Sequence, residues 1–116
     1  MSKVLVIGGG AAGMFAAIFA AYNGNEVHIF EKNEKLGKKL FITGKGRCNI
    51  TNASDMDTLF SSVVTNSTFL YSSFYGYTNQ DVIDFFERIG VPTKIERGNR
   101  VFPVSDHSSD VIAGLT

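Results

Sequence analysis

The glycines near the start of the chain have the spacing of a turn that binds dinucleotides. Gly8, Gly10 and Gly13 fit the pattern G-x-G-x-x-G. The first glycine permits a tight turn, the second lets the backbone approach a pyrophosphate, and the third lets a helix pack closely on a strand. The phosphates would lie beside Ala11 and Ala12, where free N–H groups and the helix dipole favour an anion.

An acidic residue follows the glycine turn, as a dinucleotide site requires. Glu31 ends the second predicted strand, where it can accept hydrogen bonds from the adenosine ribose hydroxyls. An acid there disfavours a 2′-phosphate, so NADP is a weak candidate for this site. The pattern leaves FAD and NAD both open, and a bare glycine pattern also occurs where only a tight turn is needed. A phosphate-binding P-loop is excluded because Gly46 follows Lys45, where serine or threonine is needed.

The segments around the turn predict a βαβ unit. Lys3–Ile7 is a short aliphatic run typical of a strand buried on both faces. Residues 11–22 are too hydrophobic for a surface helix and predict a buried crossover helix that ends at Gly24. Glu26–Phe30 predicts a second strand, parallel to the first. The chain is therefore predicted to form an α/β, Rossmann-like FAD/NAD(P)-binding domain, the start of a mostly parallel sheet.

The rest of the chain predicts a loop, helices and one hairpin. Residues 33–54 show neither a helical nor a strand period and predict a long functional loop. The further predicted elements are helices at residues 56–64, 67–76 and 79–89, a hairpin of residues 93–95 and 101–102, and a helix beginning after Ser105 or Ser108. Two parallel strands make an incomplete core, so the 116 residues are predicted to belong to a longer protein.

The composition excludes several classes of function. Eleven Lys and Arg residues balance eleven Asp and Glu residues, which favours neither nucleic acid nor an anionic membrane as a partner. Residues 60–80 are rich in aromatic side chains but lack Lys and Arg, which favours a packed helix face over a nucleic-acid surface. Glycines interrupt the uncharged stretch of residues 4–25, which argues against a membrane span. A single cysteine favours a reducing, cytoplasmic compartment, and no ligand spacing indicates a metal site.

The predicted loop carries the most specific motif of the chain. Residues 43–52 read TGKGRCNITN and follow the triplet GKK of residues 37–39, and residues 98–106 read GNRVFPVSD. In these segments the sequence resembles the BaiN-like, aminoacetone oxidase-type family of bacterial FAD-dependent oxidoreductases, whose later motif lacks the inserted Asn99. The resemblance covers essentially the whole chain. It implies that residues 1–116 are the N-terminal part of an FAD-binding Rossmann-like domain whose remaining strands come later in the protein.

The resemblance also implies a role for individual residues. The pyrophosphate would lie at the glycine turn, and the adenosine would lie at Glu31 and Lys32. Beyond the adenosine, the cofactor would be lined by Lys39, Thr43 and Gly44. Residues near the flavin ring would be Cys48, Asn49 and Thr51, where amides and N–H groups can stabilise charge on the reduced ring. The implied activity is hydride transfer through flavin N5 to or from a small-molecule substrate, with NAD(P)H as a possible electron donor.

Several alternatives stay open at this stage. The sequence is equally consistent with three roles for Arg47: it binds the cofactor phosphates, it binds an anionic substrate, or it is a solvated charge on the loop. Cys48 is predicted to pack against the cofactor loop, because neither histidine is brought near enough to make it a catalytic thiol. The alternative functions are half of an NAD-dependent dehydrogenase and a non-catalytic dinucleotide-binding module. The sequence indicates no catalytic acid or base, substrate or oligomeric state.

Overall fold

The computed structural model describes residues 2–116, which form two small sheets with helices around them. The strands are β1 (Lys3–Ile7), β2 (Glu26–Phe30), β3 (Thr51–Asn52), β4 (Thr93–Glu96) and β5 (Arg100–Pro103). The α-helices are α1 (Ala11–Tyr22), α2 (Lys38–Phe41), α3 (Met56–Ser61), α4 (Tyr71–Gly76), α5 (Asn79–Arg88) and α6 (Ser108–Leu115). Three 3₁₀ turns cover Thr43–Gly46, Ser67–Leu70 and Arg97–Asn99.

β1, α1 and β2 form the βαβ unit that the sequence predicts. The two strands pair in parallel, from Lys3 opposite Glu26 to Ile7 opposite Phe30. α1 connects them and packs against both. The helix ends where Gly24 takes a φ of +83°, a conformation that glycine adopts without strain. The predicted Rossmann-like α/β start of a parallel sheet is confirmed.

The prediction that β1 is buried on both faces is wrong. Ile7 is 82% exposed, and Leu5 and the neighbouring Phe30 of β2 are also exposed. Side chains alternate between the two faces of a strand, so α1 covers only the face that carries Val4 and Val6. The opposite face of this two-stranded sheet is open within residues 2–116. An aliphatic run therefore predicts a strand correctly without showing how many of its faces are covered.

The prediction that α1 is buried all round is also wrong. Only Met14 and Ala17 of this helix are buried, and Tyr22 is exposed. The helix contacts the strands on one side, and its Phe15 ring meets that of Phe85 with centroids 4.8 Å apart. The remaining surface of α1 faces solvent, because two strands and two helices do not surround it.

The loop predicted at residues 33–54 contains short regular elements. α2 is a single turn, Thr43–Gly46 is a 3₁₀ turn, and β3 pairs with β5 through Thr51 opposite Val101. Elements of two to four residues leave no detectable period in a sequence, which is why the prediction of a long loop missed them.

The predicted hairpin is confirmed and is larger than expected. β4 and β5 pair in antiparallel register from Thr93 opposite Pro103 to Glu96 opposite Arg100. Gly98 takes a φ of +76° in the turn. β5 is the central strand of the order β3-β5-β4, so the hairpin fixes the end of the loop motif.

The helices of the second half are partly as predicted. α5 begins at a capping box in which Thr78 and Asp81 bond each other's backbone N–H groups, and it ends before Gly90. α6 begins at Ser108 itself, one residue before the later of the two predicted starts. Of the helix predicted at residues 56–64, only the part that forms α3 is helical. The helix predicted at residues 67–76 is divided into a 3₁₀ turn and α4.

The aromatic residues of the second half pack against one another but remain partly exposed, with Tyr71 58% and Tyr75 49% exposed. The Phe60 ring lies within 5.2–5.8 Å, between centroids, of the rings of Tyr71, Phe74 and Tyr75. Tyr77 packs against Phe19 of α1. Phe69 is 85% exposed and does not pack against these rings.

The buried core lies between α1, α5 and α6, with the loop motif at its edge. Its centre is formed by Met14, Phe85, Phe86 and Val111, and Cys48 belongs to the same cluster. The loop is thereby held against the start of α1, where the glycine turn lies. No helix within residues 2–116 has the length and apolar character needed to cross a membrane.

Candidate functional site

The glycine turn between β1 and α1 is fixed by a hydrogen bond to β2 and by the close packing of α1. Gly8 has a φ of +99°, and its N–H donates to the carbonyl of Phe30 at 2.8 Å. A Cβ on Gly13 would overlap the carbonyl oxygen of Gly8 and would lie 3.4 Å from Val6. These are the tight turn and the close helix approach expected of the first and third glycines.

Gly9, the glycine for which no role is predicted from the sequence, is closed in by Leu36 and held by hydrogen bonds. It is buried, and a Cβ there would overlap the side chain of Leu36. Its N–H donates to Glu31 Oε1 at 2.8 Å, and its carbonyl accepts from the Gly37 N–H at 2.8 Å. The unbroken run of three glycines was the sequence signal that could have revealed this position.

Gly10 differs from its neighbours because the space beside it is open. A Cβ built there meets no atom within 4 Å, and Gly10, Ala11 and Ala12 are all exposed. Gly10 is the N-cap residue of α1, and within residues 2–116 no side chain caps this helix end. The first N–H groups of the helix therefore face free space, where an anion is favoured.

The carboxylate of Glu31 joins the end of β2 to the glycine turn. Oε2 accepts from the Asn33 N–H at 2.7 Å, and Oε1 accepts from Gly9. These backbone hydrogen bonds, first that of Asn33 and then that of Gly9, lower the pKa of Glu31. A carboxylate has about four acceptor positions, so it keeps capacity for ribose hydroxyls. Lys32 beside it is exposed.

The loop motif folds into a turn of left-handed residues. Gly44 and Lys45 both have a φ of 56°, Gly46 one of 86° and Cys48 one of 60°. The Cys48 N–H donates to the Thr43 carbonyl at 3.1 Å, which closes the turn. A Cβ on Gly44 would lie 2.8 Å from the backbone nitrogen of the following Asn49, so the turn requires glycine there.

A cleft of about 370 Å³ lies between the start of α1, which follows the glycine turn, and the loop motif. Among the predicted site residues it is lined by Ala11, Ala12, Cys48 and Asn49. Its remaining lining residues are apolar apart from a tyrosine, and come from α1, α2, the loop, α5 and α6: Phe15, Leu40, Ile50, Tyr77, Val82, Phe86, Val111 and Leu115. The cleft can shield an aromatic group from water while polar groups contact it at one end.

The other predicted site residues lie outside this cleft. Lys39 and Thr43 are exposed on the loop, and the Thr43 hydroxyl donates to the Leu40 carbonyl at 2.7 Å. Thr51 is half-buried in β3. With its amide turned so that nitrogen faces acceptors, Asn49 donates to the Thr51 carbonyl at 3.0 Å. Cofactor contacts by these residues stay a prediction.

Arg47 has protein partners, so it is not a solvated loop charge. Its guanidinium donates to Asp106 Oδ1 from Nε at 2.9 Å and also pairs with Glu96. It lies over the Phe102 ring, 3.9 Å from the centroid. Hydrogen bonds with these groups raise the pKa of Arg47, and those from Lys94 and Arg47 lower the pKa of Asp106. Direct contact between Arg47 and a cofactor stays a prediction.

The Cys48 thiol is buried, with 2% of the residue exposed, and burial raises its pKa. We therefore expect it to stay protonated at pH 7 and to react with iodoacetamide at least about tenfold more slowly than a free cysteine. Mass spectrometry of the folded protein after timed alkylation measures this rate. Unfolded protein is the control, and rapid modification of folded protein with loss of turnover would instead indicate a catalytic thiol.

No group of three or more metal-ligating side chains occurs within residues 2–116. A glycine turn between parallel strands, an open helix N-terminus and an acid at the end of β2 together define a Rossmann-type dinucleotide-binding segment. The sequence model of the family described as "HI0933-like protein Rossmann domain" matches residues 2–116. The chain belongs to this family of flavin-dependent oxidoreductases, which confirms the resemblance found in the loop motif.

Several characterised proteins are similar to the chain. It is 34% identical over 114 residues to the 3-dehydro-bile acid delta(4,6)-reductase of Clostridium scindens, a match that covers 97% of this chain and 27% of that protein. It is 36% identical over 90 residues to the ribosomal RNA dihydrouridine synthase of Haemophilus influenzae, covering 78% of this chain and 22% of that protein. It is 55% identical over 40 residues to the NADH oxidase of Thermoanaerobacter brockii, covering 34% of this chain and 6% of that protein. The chain thus spans about a quarter of the length of the first two relatives.

Proposed function

We propose that this chain is the N-terminal FAD-binding segment of a flavoprotein oxidoreductase. The observation that carries the proposal is the contrast within the glycine turn: Gly9 and Gly13 are closed in by protein atoms, whereas Gly10 borders open space. A pyrophosphate can approach the backbone closely where no Cβ intervenes. Gly8 also borders open space, but its N–H is already bonded to the Phe30 carbonyl, which leaves Gly10, the N-cap of α1, for the phosphates. The residues present therefore fit a dinucleotide.

The adenosine end of the cofactor would lie beside Glu31. Its carboxylate is oriented by two backbone N–H groups and held ionised by them, so its remaining acceptor positions can bind both ribose hydroxyls. Lys32 would lie next to the adenosine, on the exposed side. The same carboxylate repels a 2′-phosphate, which favours FAD or NAD over NADP at this position.

The cleft favours FAD over NAD. It continues from the start of α1 into an apolar space bordered by Cys48 and Asn49, which suits a flat aromatic ring with polar groups at one edge. FAD bound there would supply hydride transfer through flavin N5. The chain's own contribution would be to orient the ring, to exclude water and to hold donors where negative charge develops.

The relatives support an oxidoreductase without fixing its substrate. One is named for a 3-dehydro-bile acid and another for ribosomal RNA, so the shared residues fit a common cofactor better than a common substrate. The NADH oxidase among the relatives supports a nicotinamide nucleotide as electron donor. We propose a small-molecule substrate and no nucleic-acid partner, because the aromatic-rich residues 60–80 contain no Lys or Arg.

The flavin contact of the loop motif can be tested by Asn49→Ala in the full-length protein. The turned Asn49 amide donates to the Thr51 and Val101 carbonyls and so holds the backbone N–H groups of the loop beside the ring. Its loss should weaken a hydrogen bond from this backbone to the reduced ring and lower the flavin reduction potential by about 30–60 mV, the equivalent of one hydrogen bond to a charged group. Thr51→Ala should shift the potential in the same direction, and Thr51→Ser should restore it. Potentials are measured by equilibration with redox dyes.

Gln80→Ala is the matched control, because this exposed amide of α5 bonds only Asp84. Its potential should equal that of the unmodified protein. If Asn49→Ala and Thr51→Ala also leave the potential and the flavin spectrum unchanged, neither residue contacts the ring.

A further inference from the structure

Four charged side chains form an ion cluster beside the cofactor loop. The Arg47 cluster, as we name it, consists of Arg47, Lys94, Glu96 and Asp106. Lys94 Nζ lies 2.7 Å from Asp106 Oδ2 and 3.1 Å from Glu96 Oε2, and Arg47 pairs with the same two carboxylates. Two cations and two anions thus neutralise one another, with side chains 28–40% exposed.

The cluster connects segments that are far apart in the sequence. Arg47 lies at the end of the loop turn, Lys94 and Glu96 lie on β4, and Asp106 lies between β5 and α6. The Phe102 side chain of β5, buried under the Arg47 guanidinium, forms the floor. The turn is therefore fixed to the second sheet through Arg47.

The turn needs such a fixed point because its backbone is unfavourable. Lys45 and Cys48 are not glycines, yet both have a φ near +60°. Residues with a Cβ adopt this conformation only where surrounding contacts enforce it. Arg47 lies between them, and its own N–H donates to the Gly44 carbonyl at 3.1 Å inside the turn.

The residues that follow the turn are those that line the cofactor cleft. Cys48 and Asn49 come directly after Arg47, and both border the cleft beside Ala11 and Ala12. A change in the backbone at Arg47 would move the Asn49 amide along the cleft. Arg47 itself is not among the residues that line it.

We propose that Arg47 is a positioning residue for the flavin end of the cofactor. Its guanidinium fixes the left-handed turn to Asp106 and Glu96, and the turn in turn places Cys48 and Asn49 at the cleft. This inference rests on the proposed function, since it assigns a role at the same site. Arginine is suited to the task because its planar fork pairs with two carboxylates while its face stacks on Phe102, which lysine cannot reproduce.

The test uses Arg47→Met and Arg47→Lys in the full-length protein, with FAD affinity and flavin reduction potential as readouts. Arg47→Met should weaken FAD binding at least tenfold and shift the potential in the direction of Asn49→Ala. Arg47→Lys should recover part of both losses. Arg97→Met is the control, because it removes one exposed cation of the same hairpin without touching the cluster.

A second pair of variants separates positioning from direct contact with the cofactor. Glu96→Gln and Asp106→Asn remove the partners of Arg47 and keep its charge. If the role is positioning, both should shift the potential as Arg47→Met does, and the Arg47→Met and Asp106→Asn effects should not add. The contradicting result is a wild-type flavin potential and FAD affinity in these two variants, together with weaker binding and a shifted potential in Arg47→Met. This result would overturn the proposal and indicate that Arg47 contacts a cofactor phosphate directly.

The outcomes also distinguish this inference from the function on which it rests. A wild-type protein that binds no FAD would overturn both. A wild-type protein that binds FAD, together with an Arg47→Met variant of unchanged potential and affinity, would overturn the positioning role alone. Because Glu96→Gln perturbs the cluster least, it provides the readout if Arg47→Met does not fold.

Discussion

Replacing Gly13 by alanine should destabilise the protein by at least about 3 kcal/mol, the upper range for overpacking a close contact. The added Cβ would overlap the Gly8 carbonyl oxygen, which is backbone and cannot rotate away. Gly8 is itself held to β2 by its hydrogen bond to Phe30. The turn would have to move away from the helix, and the packing of α1 on Val6 would be lost. Urea unfolding of the flavin-free protein measures the free energy without a contribution from bound cofactor.

Gly76→Ala is the matched control for this substitution. Gly76 is the last residue of α4, and a Cβ there would meet no atom within 4 Å. Alanine has the higher helix propensity, so the free energy of unfolding should stay equal or rise by up to about 1 kcal/mol. Equal stability of Gly13→Ala and Gly76→Ala would show that the glycine turn is not as tightly packed as the structure has it.

Replacing Gly10 by alanine should leave the fold intact and weaken FAD binding at least about 100-fold, which corresponds to about 2.7 kcal/mol. Its φ of −84° and ψ of −167° are open to any residue, so alanine introduces no backbone strain. The new Cβ would project into the open space over the N-terminus of α1, where the pyrophosphate is proposed to lie. The substitution should therefore lower the affinity for FAD without lowering the stability of the fold.

The dissociation constant for FAD is measured by fluorescence quenching on refilling the flavin-free protein. Gly76→Ala again serves as control and should bind FAD with wild-type affinity. A Gly10→Ala variant that unfolds would place the glycine among the structural ones. A stable variant with wild-type affinity would show that no phosphate approaches Gly10.

The part of the fold that the sequence predicts correctly is local. The βαβ unit, the helix α5 and the hairpin of β4 and β5 each depend on residues close in sequence, because strand, helix and turn signals act over a few positions. The steric roles of Gly8 and Gly13 could be predicted for the same reason. Gly8 adopts its positive φ inside the turn, and a Cβ on Gly13 would meet the carbonyl oxygen of Gly8 in the same turn.

The features that the sequence does not predict depend on distant residues. Gly9 is fixed by Leu36, and Arg47 finds Glu96 and Asp106 respectively 49 and 59 positions later. No local pattern distinguishes a cation with such partners from a solvated one. The exposed face of β1 was missed because hydrophobicity records the tendency to be buried, while actual burial depends on which elements are present to cover it.

The central claim, that this chain belongs to a protein that holds FAD at the Gly8–Gly13 turn, is tested most directly by an absorption spectrum of the purified full-length protein, followed by denaturation and identification of the released cofactor. The account predicts a yellow protein with flavin bands that releases FAD. A colourless protein that cannot be refilled with FAD but binds NADH would contradict it and favour an NAD-dependent dehydrogenase. A protein that binds neither would favour a non-catalytic module.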